Sequence, residues 1–80
     1  MAAIVPKASS RVDMRRAERA IATEPLVEPL YRLLMTTLHQ AGRTAEVQTV
    51  YARCRKTLLE EDGRLPSPDT MRLLNSLRSQ

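Results

Sequence analysis

From Leu30 to Pro68 one pattern governs the chain: apolar residues recur at intervals of three and four, and an isolated glycine closes each run. Val47, Val50, Tyr51, Cys54 and Leu58 share one face of a helix read from about Thr44 to Glu61, because 3.6 residues per turn gather such positions into a stripe. Gly42 ends the helix before it and Asp62-Gly63 ends this one, since glycine enters without penalty the left-handed conformation in which many helices stop. Two amphipathic helices joined by so short an elbow make an antiparallel hairpin, a unit suited to stacking on further helices.

Four helices are predicted in all. The first runs from about Arg11 to Thr23, with Met14, Ala17 and Ile21 on one stripe and Ala20 beside it. Glu24-Pro25 breaks it, because a residue before proline avoids the helical region while proline suits the first position of a new helix. The second helix then extends to about Ala41, with Pro29 tolerated in its opening turns. Its apolar positions, Leu26, Leu30, Leu33, Leu34, Leu38 and Ala41, with Tyr31 and Met35 flanking, cover more than a narrow stripe and predict a central helix sandwiched between two others. Ser67 as N-cap, Pro68 at the first position and Asp69 in the first turn start a fourth helix carrying Met71, Leu74 and Leu77 on one face.

The expected architecture is all-α, built of antiparallel, tetratricopeptide-like helical hairpins. Residues 1–10 read as a flexible leader and residues 11–80 as one helical interaction domain, part of a repeat array. The 80-residue chain contains no Phe or Trp and two Tyr, so Leu, Val, Ile, Met and Ala must fill its core, a set that favours helices. Met1 to Ser10 is too short in apolar residues, and too early broken by Pro6, to be a secretory signal. No run approaches the roughly 20 apolar residues of a membrane span. Cys54 is the sole cysteine, which excludes an internal disulfide and a cysteine-based zinc site and makes a reducing cytoplasm the default.

Laid against the tetratricopeptide helix pair, Tyr31 and Leu34 take the large and leucine-like places of the first helix, Gly42 the turn and Tyr51 the aromatic place of the second. Val47 and Cys54 stand where alanines are usual and Met35 where a small residue is favoured, which implies a wider-packed repeat. A closer resemblance runs from about residue 14 to residue 77. Glu24-Pro25-Leu26, Leu30-Tyr31-Arg32-Leu33-Leu34-Met35, Ala41-Gly42-Arg43, Tyr51-Ala52-Arg53-Cys54-Arg55 and Pro66-Ser67-Pro68 follow in the order found in the bacterial transcriptional activator domain, which the chain resembles. That resemblance implies a helical module of bacterial regulators with an interaction role. The family's module is nearly twice as long, with helices before the part matched here, and Asp62 and Arg64 replace apolar residues usual around its glycine, which predicts a weaker staple after the third helix.

Nothing in the sequence forms a catalytic constellation. His39 is the single histidine and lacks an acidic or nucleophilic partner at helical spacing, and neither glycine belongs to a phosphate loop. No enzyme activity, metal or cofactor is expected. The net charge of +4 is concentrated in two stretches: residues 7–19 hold five basic against two acidic residues, and residues 43–57 hold four against one. Arg11, Arg15, Arg19, Arg53 and Lys56 are therefore candidate phosphate contacts for a nucleic-acid-binding module, the second choice of function. Arginines at four-residue spacing are equally an ordinary solvated helix face, and no aromatic residue accompanies them for base stacking. The first choice is protein–protein interaction, by homodimerisation or by docking to another domain. With only three helices to cover a broadly apolar second one, a face around Ile21, Met71, Leu74 and Leu77 is expected to remain for a partner, so that Leu74→Glu would disperse an assembly and spare the hairpin.

Overall fold

A computed structural model describes residues 7–79, with side chains described from Asp13 onward. Its helices are α1 (Lys7–Thr23), α2 (Glu28–Gln40), α3 (Thr44–Asp62) and α4 (Pro68–Arg78). Short connections leave sequential helices no option but to run antiparallel. As its broad apolar surface predicts, α2 is central: it packs against α1, α3 and α4, whereas α1 and α3 meet only through side chains. The all-α expectation holds.

Helix boundaries follow local chemistry, with two differences from the sequence reading. α1 begins at Lys7, so residues 7–10 assigned to a leader have helical backbone, since neither proline nor glycine interrupts them; positions 1–6 lie outside the described residues. Pro25 does not open α2. It sits in a turn, Val27 is the extended N-cap, and Pro29 stands in the first turn of the helix. Tyr31 explains the delay, because its hydroxyl donates to the Pro25 carbonyl at 2.7 Å and holds the turn against the helix.

α2 ends as the glycine predicts. Gly42 has φ +79°, its N–H bonds the His39 carbonyl at 3.0 Å, and the Arg43 N–H reaches back to the Leu38 carbonyl at 2.9 Å. This reciprocal pair satisfies carbonyls that a helix end otherwise leaves unpaired. A Cβ at Gly42 would meet nothing within 4 Å, so substitution there is opposed by backbone conformation alone. Gly42→Val should therefore destabilise the protein by about 1 to 2 kcal/mol, read as a lower melting midpoint in thermal unfolding with the folded helical signal retained.

The core joins Met14, Ala17 and Ile21 of α1 to Tyr31, Leu34, Met35 and Leu38 of α2, Val47, Val50, Cys54 and Leu58 of α3, and Leu74 and Leu77 of α4. Tyr31 and Met35 are thus the middle of the buried face of α2, while Leu26 and Leu33, read as core, are 37% and 49% exposed. The reason is rotational. With Tyr31, Leu34, Met35 and Leu38 turned inward to meet three neighbours, Leu33 falls on the remaining side of the cylinder. Met35, fully buried, fills the wider spacing that a small residue would leave open.

Candidate functional site

Burial relocates the predicted interaction face. Ile21, Leu74 and Leu77 are 3%, 6% and 5% exposed and belong to the chain's own core; of the four residues proposed, Met71 alone is open, at 44%. Leu74→Glu would therefore disrupt the core rather than an assembly. α4 docks with its apolar stripe inward because α2 and α3 together offer it a groove, which the sequence argument left unfilled. The apolar side chains left outside the core are elsewhere: Leu26, Val27 and Leu33 around the start of α2, Leu59 and Leu65 around the end of α3, and Met71.

Tyr51 differs from the rest of the stripe that the spacing predicts for α3. It is half-buried at the margin of the core, and its hydroxyl contacts the Met71 sulfur on α4. The fully buried tyrosine is Tyr31.

Ser67 occupies the N-cap of α4 as predicted, with extended backbone, but its side chain makes no capping bond. It turns instead to Glu28 at the start of α2. The Glu28 carboxylate accepts the Ser67 N–H at 2.7 Å, the Ser67 hydroxyl at 3.0 Å, the Thr70 hydroxyl, and an Arg64 N–H at 3.2 Å. Arg32 stands 3.7 Å from the same carboxylate and donates to Thr70 Oγ1 at 2.8 Å. Glu28 and Thr70 are buried, so these bonds hold a charge that would otherwise be strongly disfavoured there. Burial pushes the Glu28 pKa up, but the bonds from Thr70, from the Ser67 N–H and hydroxyl, and from Arg64 outweigh it and leave the carboxyl below its usual range.

This clasp was missed because its members lie up to 42 residues apart. The one local signal was Glu28 four residues before Arg32, a common helical pair. Arg64, read as a weak point of the staple, supplies a polar substitute for it: besides Glu28 it bonds Asp62 and the Leu26 carbonyl, tying the exit of α3 to the entry of α2.

The candidate phosphate contacts are spread over two helices, with Arg15 and Arg53 lining one pocket. Arg15 and Arg19 are exposed on α1 and Lys56 on α3, while the side chain of Arg11 lies outside those described. Arg53 makes a bidentate pair with Glu18, at 2.7 and 3.1 Å, that bridges α1 and α3, so its charge is already matched. Cys54 has no exposed surface, and burial pushes its thiol pKa up to about 11, opposite to what a reactive cysteine needs. Alkylation by iodoacetamide should accordingly be negligible in the native protein and become rapid on unfolding, which mass spectrometry along a denaturant series would register. No cluster of three or more potential metal ligands occurs among the described residues. No described helix is long and apolar enough to cross a membrane.

A small all-α module, with a polar clasp around Glu28 holding α2, α4 and the exit of α3 together, is the class of protein defined by this geometry. The chain belongs to the bacterial transcriptional activator domain family, whose model matches residues 8–78. It is 46% identical over 52 residues to the regulatory protein AfsR of Streptomyces griseus and 44% identical over 52 residues to AfsR of Streptomyces coelicolor. Each match covers 65% of this chain and 5% of the relative, so the chain spans a small part of those proteins. No solved structure gives a significant match.

Proposed function

We propose that this chain is a non-enzymatic protein-interaction module of a bacterial transcriptional regulator, acting in the cytoplasm. The supporting observation is the apolar edge at the start of α2, where Leu26, Val27 and Leu33 stay at least 36% exposed although a separate core is complete without them. Isolated exposed leucines are ordinary, but several close together in sequence, at the entry to a helix and in its first turns, mark a surface suited to a partner. The kinship with AfsR, a protein named as regulatory, supplies the setting.

In a full-length regulator carrying this domain, Leu26→Ser with Leu33→Ser should lower transcriptional output several-fold while the isolated domain melts as before. Unchanged output would refute the reading. Nucleic-acid binding has less support, because Arg53 is paired with Glu18 and no aromatic residue lies near Arg11, Arg15 and Arg19 in the sequence. It would show itself as binding that weakens steeply with added salt, whereas apolar docking would respond little.

A further inference from the structure

α2 and α4 share a short sequence pattern at the same place relative to their N-caps. Their N-caps, Val27 and Ser67, are both extended and are separated by 40 residues, and at the same offset Tyr31-Arg32-Leu33-Leu34 answers to Met71-Arg72-Leu73-Leu74. Leu34 and Leu74 are both buried. The equivalence has a spatial meaning, because the first turns of α4 are seated on α2. Ser67 and Thr70 bond Glu28, Arg32 bonds Thr70, and Thr70 is fully buried; Leu73 is half-buried against the core.

On α2 the corresponding residues are Val27, Leu30 and Leu33, and each is apolar. Yet Val27 is 36% and Leu33 49% exposed, and Leu30 is only half-buried. α4 rests on a helix at these positions, and two of the matching positions at the start of α2, Val27 and Leu30, line a groove. Ala20 and Thr23 of α1 form the other wall, with Arg16 and Arg19 on its rim. The small Ala20 lets a helix approach, as the polar face of a solvated groove would not require. Arg16 and Arg19 are exposed and form none of the ion pairs among the described residues, whereas Arg32, Arg43, Arg53, Arg64 and Arg72 each have an acidic partner. Glu24 is the one acidic residue on the lining.

We infer that this groove receives an amphipathic helix from outside the chain, with apolar residues seated on Ala20, Val27 and Leu30 and acidic residues meeting Arg16 and Arg19. The inference rests on the interaction reading above and names the surface and the chemistry of its partner. A helix is the occupant because the matching surface of α4 holds one. It is acidic because two unmatched cations border an otherwise apolar groove, and complementary charge sets partner choice and orientation more than it sets affinity.

Two synthetic helical peptides of about 18 residues, long enough for several helical turns, test it. Both carry leucines at alternating intervals of three and four; one has glutamates beside them and the other lysines. The glutamate peptide should bind the wild-type chain, shift the backbone amide signals of Ala20, Val27 and Leu30, and bind at least about tenfold more tightly than the lysine peptide. Arg16→Glu with Arg19→Glu should reverse that preference, and exposed Val27→Glu should weaken both, while helicity and melting midpoint stay at wild-type values.

Equal binding of the two peptides, absence of binding, or shifts centred on α4 would overturn the inference. So would concentration-dependent sedimentation of the chain that Arg16→Glu with Arg19→Glu abolishes, because the occupant would then be a second copy. Loss of regulator output in Leu26→Ser with Leu33→Ser, together with failure of the glutamate peptide, would keep the interaction reading and remove only this occupant.

Discussion

Tyr31→Ala should cost about 3 to 5 kcal/mol, the range for deleting a large aromatic side chain from a packed core, and lower the unfolding midpoint sharply. Total stability for a chain of this length is about 4 to 12 kcal/mol, so the loss removes a large share of it. Tyr31 is 1% exposed in the first turn of α2, the helix that packs against the other three. Its hydroxyl also fixes the turn that links α1 to α2 through the Pro25 carbonyl. Tyr31→Phe separates the two contributions: it keeps the ring and should lose about 1 kcal/mol, the net value of one such hydrogen bond. Tyr51→Ala, at the margin of the core, should cost less than half as much as Tyr31→Ala. Urea titration followed by far-UV circular dichroism measures all three. Equal losses at Tyr31 and Tyr51 would show that the two rings share the core evenly and that the centre has been wrongly assigned.

The comparison of the two tyrosines marks how far the sequence could be read. Spacings of three and four located the four helices, and Gly42 located the hairpin turn to the residue, because both signals are carried by a few adjacent positions. The buried stripe of α3, Val47 through Leu58, was legible for the same reason, as its other faces are polar or charged. α2 was ambiguous. It is apolar on most sides, so periodicity named Leu33 and Tyr31 alike, and only the positions of three neighbouring helices decide which turns inward. Ile21, Leu74 and Leu77 were assigned to a partner because the count of helices underestimated what α4 covers: it meets two helices at once. The apolar side chains that stay exposed instead, Leu26, Val27 and Leu33 among them, lie around the start of α2, where no periodicity distinguishes them from its buried positions.

The clasp around Glu28 lies furthest from the sequence signal, and removing it should be felt across the whole domain. Glu28→Ala should destabilise the protein by about 2 to 4 kcal/mol, because buried donors lose their acceptor, whereas Arg64, with its side chain 42% exposed, regains water. It leaves the buried Thr70 hydroxyl, the Ser67 N–H and an Arg64 N–H without their acceptor. Those groups belong to α4 and to the exit of α3, so α4 should detach first. Hydrogen exchange should show its amides losing protection before those of the α2–α3 hairpin. Glu28→Gln retains one acceptor oxygen but no charge and should recover part of the loss.

Acid provides an independent measurement. The folded-state pKa of Glu28 lies below its ordinary value of 4.5, so in the window between them the unfolded chain binds more protons than the native one. Its contribution is therefore complete above about pH 4.5 and disappears as pH falls from there through the folded value. The wild type should lose stability across that window, and Glu28→Gln should lose markedly less. A residual slope will persist, because Glu46, held below its usual range first by hydrogen bonds from Arg43, titrates in the same direction on the surface. Parallel pH profiles for wild type and Glu28→Gln would mean that the carboxylate is not the acceptor on which the start of α4 depends, and the polar clasp would then have to be replaced by apolar packing of Leu74 and Leu77 as the reason α4 stays docked.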